Sequence, residues 1–344
     1  MSYVQTLASK LTLTPDLSPI DRDRNYKGRF RQVFSTISSH ALQSLLINLM
    51  GALFWLPLFV LFLYIVPNFV EKGILADYAF TGSLGIGYGA TDQAIVNEAI
   101  QRIYEARILY SAAYIIPCLM FASIGMAGVY NCMRNMLWEV ECKTLKHFFL
   151  GIKRHWYKFL IVFTVLGAIA VGFTTALLEV RMAYAMGQAA NAGWWVLLVF
   201  MGILALAAAM YSIILVPMLV TYKYDQKWYK NFAICLKNAG IILCISPLQI
   251  MLVTIFVAAP MALNFIPNAP LWIAAIIGIY GIVFYVLISL AYSQFYADNY
   301  IYYLYNRGQE EAKKQQMKEV KAQQKQQKAQ QQKQNRPSYK KRKK

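Results

Sequence analysis

Charged residues are scarce in this sequence, and acidic residues are scarcest. Only 15% of the 344 residues are charged, and Asp and Glu together number 16 against 34 Lys and Arg. An ordinary soluble domain has about 25% charged and about 45–50% apolar residues, whereas 58% of this chain is hydrophobic. A soluble globular fold cannot hide that much apolar surface, so the composition indicates a membrane protein.

Residue patterns that catalysis or metal binding would require are also lacking. The three His residues form no His-Glu-x-x-His motif, and the five Cys form no Cys-x-x-Cys pair. An odd number of Cys argues against a disulfide framework. The glycine-rich stretch GIGYG at 85–89 has no preceding strand and no closing Lys-Ser/Thr, as a phosphate-binding loop requires. We therefore expect no enzymatic activity and no cofactor or metal.

Long apolar runs dominate what is present. Six of them reach the length of about 20 residues that a helix needs to cross a bilayer, and no strand-like alternation competes with the helical pattern. The sequence predicts an all-α, polytopic membrane helix bundle with about six transmembrane helices. The predicted spans are roughly Leu45–Val66, Leu109–Tyr130, Phe159–Leu178, Trp194–Val220, Ile241–Leu263 and Leu271–Tyr292.

The basic residues predict the orientation. Six spans place residues 1–42, 131–158, 221–238 and 296–344 on one side of the membrane, and these segments hold 30 of the 34 Lys and Arg. By the positive-inside rule that side is the cytoplasm. We expect a cytoplasmic N-terminal segment at 1–42 that is not a signal peptide. A membrane domain at 43–295 with an outer loop at 67–108 follows, and then a cytoplasmic tail at 296–344.

Two basic and aromatic segments, 143–158 and 223–238, lie between spans on the predicted cytoplasmic face. In each, apolar residues follow the spacing of one helix face and Lys or Arg form a second stripe. We predict short amphipathic helices that rest on the membrane while their basic side chains reach anionic headgroups. Nucleic-acid contact and protein docking are the alternatives. The predicted interface residues are Phe148, Phe149, Ile152, Lys153, Arg154, Trp156, Lys158, Lys227, Trp228, Lys230 and Phe232.

From Glu310 onward the tail is rich in Lys and Gln and has almost no apolar residues, so it cannot bury a core. We predict a disordered segment or a solvated helix. Three roles fit this composition: a solubilising appendage, a contact for anionic lipid and a contact for ribosomal RNA. It ends in a polybasic cluster of Lys340, Lys341, Arg342, Lys343 and Lys344.

Two stretches carry a family resemblance. IPCLMFASIGMAGVYNCMRNMLWEVECKTLKHFFLGIKRHWYKF is similar to the first half of the YesL-like bacterial membrane proteins, and ILVPMLVTYKYDQKWYKNFAICLKNAGIILCISPLQIML resembles their second half. The likeness covers about residues 30–295. The matching features are Pro117, Gly125, Tyr130, Arg134, Glu139, Glu141, Phe148, Phe149, Lys153 and Arg154, followed by Lys237, Asn238 and Ala239.

This resemblance implies a multi-pass protein of the bacterial cell membrane, often associated with sugar-uptake systems. We expect a non-enzymatic accessory or scaffold protein with a membrane transport complex and anionic lipid as partners. A transporter in its own right is an alternative, although the span centres lack the carboxylate expected of an ion-coupled pump. A ribosome-associated factor in membrane-protein biogenesis, acting through the tail, is another.

Overall fold

Every regular element in the described part of the chain is a helix. The computed structural model describes residues 29–65, 109–185 apart from 111 and 139, 191–223, 227–258 and 280–297, with isolated positions at 7, 10–12, 68 and 317. Within these ranges, a π-helical turn at Leu61–Ile65 extends the second helix. The helices are α1 (Arg29–Ser39), α2 (Ala41–Val60), α3 (Ile115–Leu137), α4 (Thr144–Ala185), α5 (Ala192–Thr221), α6 (Trp228–Ile245), α7 (Pro247–Ala258) and α8 (Ile282–Ala297).

Several of these helices are long and apolar enough to cross a membrane. Ala41–Ile65, Ile115–Leu137, Thr144–Arg181 and Ala192–Thr221 qualify alone, and α6 with α7 adds a fifth if the two form one span. Large apolar side chains also cover the outer surfaces of α2, α5 and α7, as expected of helices that face lipid. The predicted all-α membrane bundle is confirmed, but the count of six is not, because most of 264–281 lies outside the described residues.

The predicted fifth span, Ile241–Leu263, is not a single straight helix. Its first residues end α6 at Ile245, and α7 leaves at an angle of 100°. Pro247 explains the break, because a proline offers no backbone N–H and disfavours helical geometry in the preceding residue. Ser246 accordingly leaves the helical region, with φ −133° and ψ 52°.

The centre of the bundle is formed by α3 and α8. From Ala122 to Leu137 nearly every residue of α3 is buried, and α2, α4, α5 and α8 all pack around it. Only the C-terminal half of α5, from Met210 onward, joins this core. A helix buried on all sides needs close-packed neighbours, and α3 provides small residues where they approach.

Helices α3 and α4 approach each other closely at Gly151. A methyl group added there would lie 2.5 Å from Cβ of Asn131 and 2.8 Å from the carbonyl oxygen of Ala127. Asn131 also donates from Nδ2 to the carbonyl oxygen of His147 at 2.8 Å. Small residues allow backbones to meet in this way in membrane helix pairs, where packing replaces the hydrophobic effect.

Polar side chains connect the inner helices. The Oδ1 atom of Asn48 on α2 accepts from the backbone N–H of Val283 in the first turn of α8, at 3.0 Å. The hydroxyl oxygens of Tyr130 and Ser289 lie 2.8 Å apart between α3 and α8. Ser293 donates to the carbonyl oxygen of Ile214 on α5 at 3.3 Å. These bonds fix the register of α2, α3 and α5 against α8.

Both predicted interfacial helices belong to longer helices. Residues 144–158 form the first turns of α4, which has 42 residues and is therefore about 63 Å long, roughly twice the hydrocarbon thickness of a bilayer. The second segment provides the first 11 of the 18 residues of α6, which begins at Trp228. The short helices predicted from the sequence are the first turns of longer helices, since no break separates either basic segment from the apolar residues that follow.

Candidate functional site

The two basic segments meet at one end of the bundle. The rings of Tyr157 on α4 and Trp228 on α6 are 5.3 Å apart, edge to face. Lys158 on α4 contacts the end of α5, and Cys132 near the end of α3 contacts the start of α4. We call this region the basic end: the last turns of α3 and α5 together with the first turns of α4 and α6.

The predicted interface residues divide into three groups at the basic end. Ile152 and Phe232 are half-buried against the core. Phe148 and Lys158 are buried, with 1% and 7% of their surfaces exposed, so their assignment to a lipid-facing surface is wrong. The exposed members are Phe149, Lys153, Arg154, Trp156, Lys227, Trp228 and Lys230.

Phe148 is buried because α3 has a glycine opposite it. Its ring lies where a side chain at Gly128 would project, 2.8 Å from that missing Cβ. The ring centroid of Phe54 on α2 is 6.2 Å away. Phe148 therefore joins α2, α3 and α4, whereas its neighbour Phe149 points outward with 59% exposed.

Lys158 is buried because its ammonium group hydrogen-bonds to the C-terminal end of α5. Its Nζ donates to the carbonyl oxygen of Leu219 at 3.4 Å, and Nη1 of Arg134 donates to that of Val220 at 2.8 Å. The thiol of Cys235 lies 3.8 Å from the preceding carbonyl, that of Met218. The last carbonyls of a helix have no hydrogen-bond partner within the helix, and they form the negative end of its dipole. At the end of α5, two cations and a thiol supply the missing hydrogen-bond donors.

Arg134 and Lys158 belong to a larger group of basic side chains. The positive charges of Arg134, Arg154 and Lys158 all interact with the side chain of His155. The charges of Arg154 and Arg134 also repel each other. We call these four residues the Arg134 cluster. The guanidinium carbon of Arg134 lies 5.3 Å from the ring of Trp138, and Nη2 donates to Oδ1 of Asn135 at 3.1 Å. Within the described residues, Nε of Arg134 and Nδ1 of His155 are buried without a hydrogen-bond partner.

A second polar contact at the basic end was not predicted. Asn238 on α6 is buried, and its carboxamide binds both backbone groups of Thr12: Oδ1 accepts from N–H and Nδ2 donates to the carbonyl, each at 3.0 Å. Leu11 beside it is buried in the core. Asn238 lies in the LKNA stretch that carries the family resemblance. Asn238 lies on the same helix face as the buried residues Cys235 and Ile242, so its burial could be predicted from spacing. Its partner Thr12 is 226 residues away and could not be.

The described residues offer no group of three or more His, Cys, Asp or Glu that could hold a metal ion. All five cysteines are free. Cys142 lies in the turn between α3 and α4, and its thiol is 3.9 Å from the carbonyl oxygen of Cys132. A hydrogen bond with the Cys132 side chain lowers the pKa of Cys142, an effect that burial partly opposes.

Other predicted features fall outside the described residues. These are the outer loop at 69–108, the acidic Glu139 and the polybasic cluster at 340–344.

Comparison of this chain with protein-family profiles, with curated proteins and with solved structures finds no match in any of the three. The function must therefore be inferred from the residues and the geometry alone.

Proposed function

We propose that this chain is a non-enzymatic accessory or scaffold protein of the bacterial cell membrane, working beside a solute-uptake system. The observation that supports it is that polar groups inside the bundle are used to hold the helices together. Asn48, Tyr130, Asn131 and Ser293 all hydrogen-bond to a neighbouring helix. A solute path needs polar groups that can exchange partners, whereas these contacts fix the register of neighbouring helices.

The association with sugar uptake comes from the YesL-like resemblance and is part of the same proposal. Charge distribution agrees with a non-transporting role. Between residues 106 and 297 the acidic residues are Glu139, Glu141, Glu179 and Asp225, and all lie near the ends of apolar runs. Coupled transport uses titratable groups within the membrane. Two buried groups on α2 favour the transporter alternative instead, because Ser44 Oγ and Trp55 Nε1 have no hydrogen-bond partner in the described part of the chain.

Co-purification in mild detergent tests the accessory role. We expect membrane subunits of a solute-uptake system to accompany both the full-length chain and a chain ending at Gly308, since truncation removes none of helices α1 to α8. Ribosomal proteins that accompany only the full-length chain would support the tail-dependent alternative instead. Purification without any partner, together with solute uptake by the reconstituted protein, would contradict the accessory proposal and support a transporter.

The proposed topology has six spans and both termini in the cytoplasm. A reporter that is active only outside the cytoplasm should be active when fused after Thr91 and silent when fused after Lys143 or at the C-terminus. The physical reason is the retention of Lys and Arg on the cytoplasmic side. Cell fractionation and expression levels of each fusion are the controls. An active C-terminal fusion would overturn the six-span count, and five spans would follow if α6 and α7 form the fifth and no sixth crosses.

A further inference from the structure

We infer that the Arg134 cluster binds a phosphate group at the basic end of the bundle. The cluster combines Arg134 from α3 with Arg154, His155 and Lys158 from α4. Arg134 and Lys158 donate to the end of α5, and Arg154 precedes Lys158 by four residues, about one turn of α4. This inference does not rest on the accessory role. It differs from a general attraction between surface lysines and anionic lipid, because it assigns one bound group to side chains held in place by the fold.

The positions of two cations follow from their hydrogen bonds. Arg134 and Lys158 donate to the consecutive carbonyl oxygens of Val220 and Leu219. In an α-helix such neighbouring oxygens are roughly 3–4 Å apart, given a rise of 1.5 Å and a rotation of about 100° per residue. The donating nitrogens of Arg134 and Lys158 are 2.8 and 3.4 Å from these oxygens. The two cations therefore lie at most about 10 Å apart, at the same end of α5.

The end of α5 cannot balance this charge. A helix C-terminus is equivalent to about half a negative charge, whereas Arg134, Arg154 and Lys158 contribute three positive ones. The described carboxylates do not make up the difference. Glu141 lies 3.7 Å from Lys143, and Glu179 is 21 residues beyond Lys158, about 32 Å along α4. Among the described residues, which do not include Glu139 and Asp225, a bound anion would relieve the remaining repulsion.

The donors suit a phosphate oxygen cluster. Arg134 uses Nη1 and Nη2 for one hydrogen bond each, which leaves further N–H groups of its guanidinium, and Lys158 makes one of its three. Arg154 is exposed and lies about one helical turn before Lys158, so it extends the cluster to the protein surface. Proteins commonly bind phosphate with arginine and lysine. Arginine offers N–H groups in a fixed geometry, and lysine offers a compact positive charge.

The phosphate has two sources with the same chemistry. The basic segments adjoin apolar membrane helices, so an anionic phospholipid headgroup can reach Arg154 from the bilayer. A free phosphate or a phosphorylated solute can reach the same residue from the aqueous side. Native mass spectrometry of the full-length protein distinguishes them, using phosphatidylglycerol, phosphatidylcholine and inorganic phosphate in separate titrations.

The Arg154→Gln variant tests the cluster without disturbing the end of α5, because Arg154 makes neither of the bonds to the α5 carbonyls. Lys153→Gln is the matched control, since it removes the same charge from the adjacent exposed position, which the cluster does not include. We expect one phosphatidylglycerol or one phosphate to bind the wild-type protein. Arg154→Gln should weaken that binding roughly fivefold, the equivalent of about 1 kcal/mol for a basic side chain beside an anionic headgroup, and Lys153→Gln should change it less than twofold.

Binding of phosphatidylglycerol but not inorganic phosphate would identify a lipid site, and binding of inorganic phosphate would identify a site for soluble phosphates. Both results support the inference. Equal weakening by Arg154→Gln and Lys153→Gln would show that only surface charge matters and would overturn it. So would the absence of binding from all three titrations.

Discussion

Replacing Gly151 with alanine is expected to destabilise the folded protein by about 1–3 kcal/mol, the range for overpacking a well-packed interior. The added methyl group would lie 2.5 Å from Cβ of Asn131 and 2.8 Å from a backbone oxygen of α3. Backbone atoms cannot rotate away as the tip of a long side chain can. Helices α3 and α4 must therefore separate, which also strains the hydrogen bond from Asn131 to His147.

The measurement is the loss of monodisperse, detergent-purified protein on heating, with Gly240→Ala as the matched control. Gly240 is also inside a helix, but its added methyl group would meet only Cε2 of Tyr211 at 3.8 Å, an ordinary contact. Alanine is the better helix former by about 1 kcal/mol, so this control should be neutral or slightly stabilising. If both variants have wild-type stability, α3 and α4 do not meet at Gly151.

Local sequence patterns predicted the helices but not which faces they bury. Leu145, Phe148 and Phe149 lie on one apolar side of α4, yet Phe148 enters the core while the other two are exposed. In a soluble protein an apolar stripe indicates the core, because the alternative is water. In a membrane protein lipid is an equally apolar surrounding, so the same stripe does not distinguish contact with lipid from contact with another helix.

The candidate site was predicted in part for a related reason. The basic and aromatic composition singled out residues 143–158 and 223–238, and the structure brings the described parts of the two segments into contact at Tyr157 and Trp228. The burial of Lys158 could not be predicted, because its partner Leu219 is 61 residues away. Arg134 likewise contacts Val220 across 86 residues. Helical spacing identifies neighbours within about four positions, so contacts between helices require the tertiary structure.

Replacing Phe148 with alanine is expected to destabilise the fold by about 3 kcal/mol, at the lower end for a buried Phe-to-Ala change. Its ring fills the space beside Gly128 and contacts the Phe54 region of α2, so removal leaves a cavity where three helices meet. The lower value applies because lipid surroundings reduce the transfer contribution and leave the loss of packing. Thermal unfolding of the purified protein in detergent measures the change.

Phe149→Ala is the matched control, with the same chemistry one position along α4 but a side chain that is mostly exposed. Its ring makes an edge-to-face contact with that of Phe148, with centroids 5.7 Å apart, so its removal should cost about 0.5–1.5 kcal/mol, clearly less than the loss of Phe148. If Phe148 and Phe149 instead anchored the segment jointly on a membrane surface, both variants would weaken it alike and the loss would depend on the lipid present. Equal effects of the two substitutions would therefore contradict the packing of Phe148 against Gly128. A much larger effect of Phe148→Ala, measured in detergent without added lipid, would show that Phe148 belongs to the protein core.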